Sequence, residues 1–218
     1  MNELIKIGLI VLGPVQTNCY YIYSLKEEIV NGKRPCIVID PADEGDLIYE
    51  HLTNQGLEVG LILLTHAHFD HIGGAERLRE LSGAPIWCHE EEKLLCEDTD
   101  ANLSAAFGNP IAIKVDKYLK DDELIEAANL KCFCIFTPGH TKGSCCYYFE
   151  REQVLFSGDT LFEGSVGRTD FPTGSAATLF RSVHDKLGNL PGNTKVFPGH
   201  GSETIIKDEK EYNQYMIN

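Results

Sequence analysis

Residues 61–74 read LILLTHAHFDHIGG, an apolar run that ends in His66, His68, Asp70 and His71. Imidazoles and carboxylates packed this densely are costly to bury unless a cation accepts the nitrogen lone pairs and neutralises the carboxylates. Three further strand-like runs end the same way, in Gly-bearing turns: Thr137-Pro138-Gly139-His140, Ser157-Gly158-Asp159 and Pro198-Gly199-His200. Five of the eight histidines fall in these four turns. A core histidine satisfied by one neighbour explains a single case, not four loops of one design. Strand ends are rigid anchors whose turns present side chains beyond the sheet. If the four ends share a rim, five imidazoles and two carboxylates converge there. Borderline-soft Zn²⁺ takes both donor types. Seven donors are too many for one tetrahedral ion, whereas two ions sharing a carboxylate and a water use them all. A closed structural zinc site is disfavoured, because such sites favour cysteine and none of the eight cysteines lies in these turns.

The elements that must carry these turns are readable around them. IKIGLIVL, CYYIYS and CIVID read as strands, with a hairpin signal at Asn31-Gly32 between the second and third. Residues 44–55 read as a helix with Leu47, Ile48, His51 and Leu52 on one face and Gly56 at its end. The all-apolar run Leu61–Leu64 suits a strand buried on both faces. A helix closed by Gly83, the strand PIWC, and an acidic helical or irregular stretch at 90–107 follow. LKCFCIF, CCYYF, QVLFS and TKVF are the later strands. Ser175 is placed to cap the helix beginning near Ala176, and Ser202 to cap the last one. No linker or repeat interrupts the chain, so 1–218 reads as one α/β domain with helices outside the sheet.

Composition narrows the function. Lys+Arg total 19 against 33 Asp+Glu, a net charge of −14, which repels phosphate backbones and anionic lipid. Nucleic-acid and membrane partners are therefore not expected; a small-molecule substrate is. The apolar N-terminus carries one Lys and a Gly13-Pro14 break and reads as a strand rather than a signal peptide, giving an expected cytoplasmic location. The cysteines sit mostly in apolar runs and are expected to be buried free thiols. Cys132 and Cys134 should share one strand face, and Cys145 and Cys146 should take opposite faces.

The string His66-x-His68-x-Asp70-His71, followed in order by His140, Asp159 and His200, resembles the metallo-β-lactamase fold superfamily, and within it the short, bacterial-type members of the glyoxalase II branch. The resemblance runs from GPVQTNCYY through PGHTKGS and GDTLF to FPGHG. It implies a four-layer αββα sandwich, with two mixed β-sheets flanked by helices. It also implies two Zn²⁺ per chain, with iron or manganese as alternatives. His66, His68 and His140 would bind the first ion and Asp70, His71 and His200 the second. Asp159 would bridge them, and Asp70 would also act in catalysis. The implied activity is hydrolysis of a thioester such as S-lactoylglutathione by a metal-bridging hydroxide.

The segment after GDTLF reads EGSVGRTDFP, unlike the glutathione-holding segment of the full-length enzymes. GRTDF also resembles persulfide dioxygenases of the same superfamily, which use one iron; a lactonase or other ester hydrolase on the same site is a third reading. Arg168 would contact an acidic substrate or pair with Asp170. Asp40 would orient a ligand loop or simply start the turn at Pro41. His51, His89 and His184 are read as partly exposed or core-satisfied.

Overall fold

The apolar runs form strands that bury side chains on both faces, and this alternation sets the layering. A computed structural model describes residues 5–26 and 32–217. Its first half runs β1 (Ile5–Leu12), β2 (Thr17–Ser24), β3 (Arg34–Ile39), α1 (Gly45–Asn54), β4 (Leu57–Leu63), α2 (Phe69–Ile72), α3 (Ala75–Ser82), β5 (Ile86–His89), α4 (Lys93–Glu97) and β6 (Lys117–Leu119). The second half runs β7 (Glu123–Ala127), β8 (Leu130–Phe136), β9 (Cys145–Phe149), β10 (Val154–Gly158), β11 (Leu161–Phe162), β12 (Ser165–Val166), α5 (Ala176–Arg181), β13 (Lys195–Pro198), β14 (Thr204–Ile205) and α6 (Ile206–Tyr212).

Among the described residues these strands make two six-stranded sheets, ordered β1-β2-β3-β4-β5-β6 and β14-β13-β10-β9-β8-β7, and a small β11-β12 hairpin. Both large sheets are mixed: β3 to β6 pair in parallel, as do β10 and β13, and the remaining pairs are antiparallel. In β4, Leu61 and Leu63 face the second sheet while Ile62, and Leu64 just past the strand, face the helices with Ile48, Leu52 and Leu78. In β9, Cys145, Tyr147 and Phe149 face the first sheet, and Cys146 and Tyr148 pack towards Leu179 and Ile206 of α5 and α6. Three apolar cores thus separate four layers, helix, sheet, sheet and helix, and the expected αββα sandwich is the observed one. Period-two alternation explains why the central strands read as unbroken apolar runs. Each cysteine pair lies where strand geometry puts it, with Cys132 and Cys134 in the inter-sheet core.

Several expectations need correction. In α1 only Ile48 and Leu52 of the predicted face are buried; Leu47 is 41% exposed. His51 is exposed as well, its Nε2 3.3 Å from the Tyr21 hydroxyl. The buried stripe follows the i, i+4 pair and is narrower than the apolar pattern. Ser202 does not cap α6: the chain first pairs with β13 as β14, and Ile205 takes the cap position without a side-chain bond. Asn31 lies outside the described residues, though β2 and β3 do pair antiparallel. β6 and β7 have no counterpart among the strands that the sequence pattern marks. They are edge strands bearing Lys117, Glu123 and Glu126, charges that suit an edge and hide the strand pattern.

Candidate metal centre

Strand direction brings the four turns together. Parallel β3 and β4 end on one rim, delivering Asp40 and the 65–71 loop. Antiparallel pairing of β8 with β9 and of β9 with β10 gives β8 and β10 the same direction, and β13 runs parallel to β10. His140, Asp159 and His200 therefore follow the C-terminal ends of three strands on one rim of the second sheet. A main-chain bond joins the two rims, with Cys145 N donating to Thr65 O at 2.9 Å.

All seven predicted donors meet there. His66, His68 and His140 form one group with potential ligand atoms within 4.8 Å of one another; Asp70, His71 and His200 form another, and His66, His71 and Asp159 a third. His68 Nδ1 lies 2.9 Å from His140 Nε2. Asp70 Oδ2 is 3.5 Å from His71 Nε2 and 3.2 Å from His200 Nε2. The Asp159 carboxylate spans the groups: Oδ1 is 3.4 Å from His71 Nε2, and Oδ2 is 3.6 Å from both His140 Nε2 and His200 Nε2.

Neighbours fix the imidazole tautomers. Asp40 is buried and accepts three hydrogen bonds: from Thr65 N (2.7 Å), Thr65 Oγ1 (2.6 Å) and His71 Nδ1 (2.9 Å). With its proton committed to Asp40, the Thr65 hydroxyl is left as an acceptor for His66 Nδ1 at 3.2 Å. His140 Nδ1 donates to the Arg168 carbonyl at 2.8 Å. In neutral His66, His71 and His140 the Nε2 lone pair consequently points into the centre. Asp40 thus hydrogen-bonds both Thr65, at the start of the 65–71 loop, and His71 within it. Thr65, Thr17 (whose hydroxyl donates to Asp70 Oδ2 at 2.9 Å) and the Arg168 carbonyl join the site without a spacing motif that announces them.

The electrostatics follow from burial and proximity. Burial and the surrounding imidazoles push His66 well below its usual range and His68 down to about 3, and burial lowers His140 as well. Burial also disfavours charge on Asp70 and Asp159, but the neighbouring histidines outweigh it and hold both carboxylates ionised. The same carboxylates, with Asp40, raise His71 well above its usual range despite burial, and His200 rises through Asp70 and Asp159. The carboxylates thus favour positive charge at His71 and His200.

These residues fit a pair of metal ions. The buried atoms His66 Nε2, His71 Nε2 and Asp159 Oδ1, which face the centre, have no hydrogen-bond partner among the described residues, and buried polar atoms are rarely left so. A Cβ at Gly199 would meet Asp159 Oδ1 at 2.3 Å and His71 Cε1 at 2.7 Å, so a larger residue would intrude on the cradle. The set of imidazoles and carboxylates without thiolates suits zinc, iron or manganese.

The side chains of the remaining candidates make local contacts. Arg168 forms a two-pronged bond to Asp170, at 2.7 Å for each nitrogen, and its guanidinium covers the Phe171 ring at 3.8 Å. Its side chain is thus held in the local pairing, and its contribution to the centre is the carbonyl on His140. His89 is buried against Phe136 and caps the turn at 90–92. His184 is partly exposed beside Asp185, and all eight cysteines are buried and free. Asp40→Asn turns an amide N–H₂ towards His71 Nδ1 or loses a Thr65 bond, so it should weaken metal binding about 10–100-fold, the usual effect of removing a partner that orients a ligand; competition titration with a chromophoric chelator measures it.

Comparison with known proteins agrees with this geometry. Residues 12–200 match the metallo-beta-lactamase superfamily. The chain is 37% identical over 207 residues to the probable metallo-hydrolase YqgX of Bacillus subtilis, covering 94% of each chain. It is 32% identical over 218 residues to the hydroxyacylglutathione hydrolase GloC of Haemophilus influenzae, covering 97% of this chain and 98% of that one. Among solved structures, the BLEG-1 B3 metallo-beta-lactamase superposes with a TM-score of 0.90 at 35% identity, covering 98% of this chain and 100% of that one. TTHA1623 in a di-iron-bound form gives 0.82 at 32%, covering 96% and 100%. With its fold, its ordered His/Asp turns and this match, the chain belongs to the metallo-β-lactamase superfamily.

Proposed function

We propose that the protein is a dinuclear metal-dependent hydrolase of thioesters, with S-lactoylglutathione as its reference substrate. The observation that carries the reading is the presence of two complete donor triads with the Asp159 carboxylate reaching both. His66, His68 and His140 would hold one ion, Asp70, His71 and His200 the other, and Asp159 both. A relative named as a hydroxyacylglutathione hydrolase and a neighbour solved with two irons support the activity and the metal number. Zinc is the proposed metal, on the imidazole-rich donor set. The free thiols support a cytoplasmic location. Among the described residues no helix is long and apolar enough to cross a membrane.

When bound, the ions supply a hydroxide at neutral pH and polarise the substrate carbonyl. The chain does the rest by position. Thr17 fixes the Asp70 rotamer, so that carboxylate can accept a hydrogen bond from the attacking water and aim it. By taking the Nδ1 proton, Asp40 and the Arg168 carbonyl leave Nε2 of the neutral His71 and His140 rings as the atom that faces the centre. A thiolate is a weakly basic leaving group, so the chain need not protonate it.

Beside Asp70 lies a cavity of about 180 Å³ lined by Pro14, Phe69, Phe107, Asn109 and Ile111 among others. Phe69 and Phe107 stack with ring centroids 4.1 Å apart, and Phe107 is 61% exposed at the mouth. The lining includes Asp43 and Asp70 and no Lys or Arg. It suits the uncharged part of a thioester and leaves the anionic ends of a glutathionyl group outside. Phe107→Ala should raise KM about 10-fold, equivalent to roughly 1.4 kcal/mol of lost apolar contact, with kcat nearly unchanged because ground and transition states lose it alike. Steady-state kinetics on the reference thioester checks this.

The function is tested on purified protein by metal quantification with three parallel assays: thioester hydrolysis, oxygen uptake with glutathione persulfide, and β-lactam hydrolysis. Two zincs and thioester turnover support the proposal. One iron with oxygen uptake, or β-lactam turnover with inert thioesters, overturns it.

A further inference from the structure

The acidic run Glu90-Glu91-Glu92 contains one carboxylate unlike its neighbours. Glu92 is fully buried, whereas Glu90 is exposed and Glu91 partly so. Its Oε1 accepts a hydrogen bond from Ala67 N at 2.8 Å, between His66 and His68. Its Oε2 accepts from Thr141 Oγ1 at 2.9 Å, next to His140, and the Gly143 backbone lies against this carboxylate. Thr141 and Ser144 lock the far side: their hydroxyls are 2.7 Å apart, and Ser144 Oγ accepts from Thr141 N at 3.0 Å. A Cβ at Gly143 would meet Glu92 N at 2.2 Å and Oε2 at 2.4 Å. The HTKGS segment after His140 is thereby given a purpose: its hydroxyls and its glycine close around one buried carboxylate.

Such a carboxylate is costly. Burial pushes it up to about 7, opposed by the donors around it, Ala67 N and Thr141 Oγ1 among them. Packing alone would be served as well by an apolar side chain. What an apolar side chain would not do is tie two separate loops, one from each sheet, to a single rigid group.

We propose that Glu92 is a positioning residue that sets the His66-x-His68 loop against the His140 loop, and so fixes the spacing of the first donor triad. The inference rests on the reading of His66, His68 and His140 as ligands of one ion. It places the preorganisation of that ion's site in a residue that does not touch the ion.

The test is zinc titration of the full chain, stripped of metal, against a chromophoric chelator. A His200→Ala background removes one donor of the second triad, so the remaining ion reports the first. There, Glu92→Ala should weaken zinc binding about 10–100-fold, as loss of orienting partners does. Glu92→Gln keeps the volume and an acceptor for Ala67 N but sets an amide N–H₂ where Oε2 accepts from the Thr141 hydroxyl, and should weaken it by less. Folding is read by circular dichroism and by the melting transition of each metal-free variant. Weakened zinc binding by a folded variant, graded from Gln to Ala, supports the proposal. Unchanged affinity in a folded Ala variant, or in the Gln variant where the Ala variant does not fold, overturns it and leaves Glu92 a packing residue. A wild-type chain without zinc, or one whose stoichiometry does not fall from two to one with His200→Ala, removes the metal reading and this inference with it.

Discussion

Asp159→Ala is expected to lower kcat/KM for the thioester at least about 10³-fold, roughly 4 kcal/mol of transition-state stabilisation, and to reduce bound metal below two ions per chain. The first triad is three imidazoles with no carboxylate of its own. Asp159 is the anionic group that approaches it, with Oδ2 3.6 Å from His140 Nε2, while Oδ1 approaches His71. Without it, two divalent ions would face five imidazoles and Asp70 alone. Asp159→Asn keeps the shape and one neutral oxygen donor, so it should fall between alanine and wild type. The side chain sits in a turn beyond β10, and its Oδ1 has no hydrogen-bond partner, so both variants should keep wild-type secondary structure by circular dichroism. Full metal content and full turnover in the alanine protein would remove Asp159 from the bridging role.

Chelation should destabilise the protein strongly and reversibly. Ions that bind only the folded chain, present at about 1,000 times their Kd, contribute about 4 kcal/mol; at about 2–4 °C per kcal/mol for a chain of this size, stripping them lowers Tm by roughly 10 °C. The structural reason is the set of inward-facing nitrogens and the Asp159 oxygen that no other described residue satisfies. The gap between loaded and stripped protein should widen as pH rises. In the metal-free state the Asp70 and Asp159 carboxylates raise the pKa of His71 and His200. Metal must displace those protons, so its affinity grows as they leave. Differential scanning calorimetry across pH, with and without chelator and with added zinc, measures both effects. A Tm indifferent to chelator would mean that the fold satisfies the cluster by itself.

The site was more legible in the sequence than the scaffold that holds it. His66, His68, Asp70 and His71 stand within one loop, and each of the other three donors follows an apolar strand and a glycine, so local pattern exposes them. Their convergence depends on strand order, which local pattern does not encode: β13 lies between β10 and β14, and β7 at the far edge. Continuous apolar runs announced strands buried on both faces but not which sheet each would join. Charged edge strands such as β6 and β7 carry no apolar run and went unseen. Supporting residues were hardest to read. Thr65 and Thr17 are ordinary residues until the fold sets them against Asp40 and Asp70. Glu92 is indistinguishable in sequence from the solvated glutamates before it. Leu47 and Ser202 show the opposite error, where residue types that fit a buried face and a helix cap are placed by tertiary packing in neither.

The decisive measurement is anomalous diffraction at the metal edge from crystals of protein purified without chelator. Two peaks are expected, one among His66, His68 and His140 and one among Asp70, His71 and His200, each within bonding reach of the Asp159 carboxylate. A single peak at the first triad, or metal bound away from these seven side chains, would contradict a dinuclear centre.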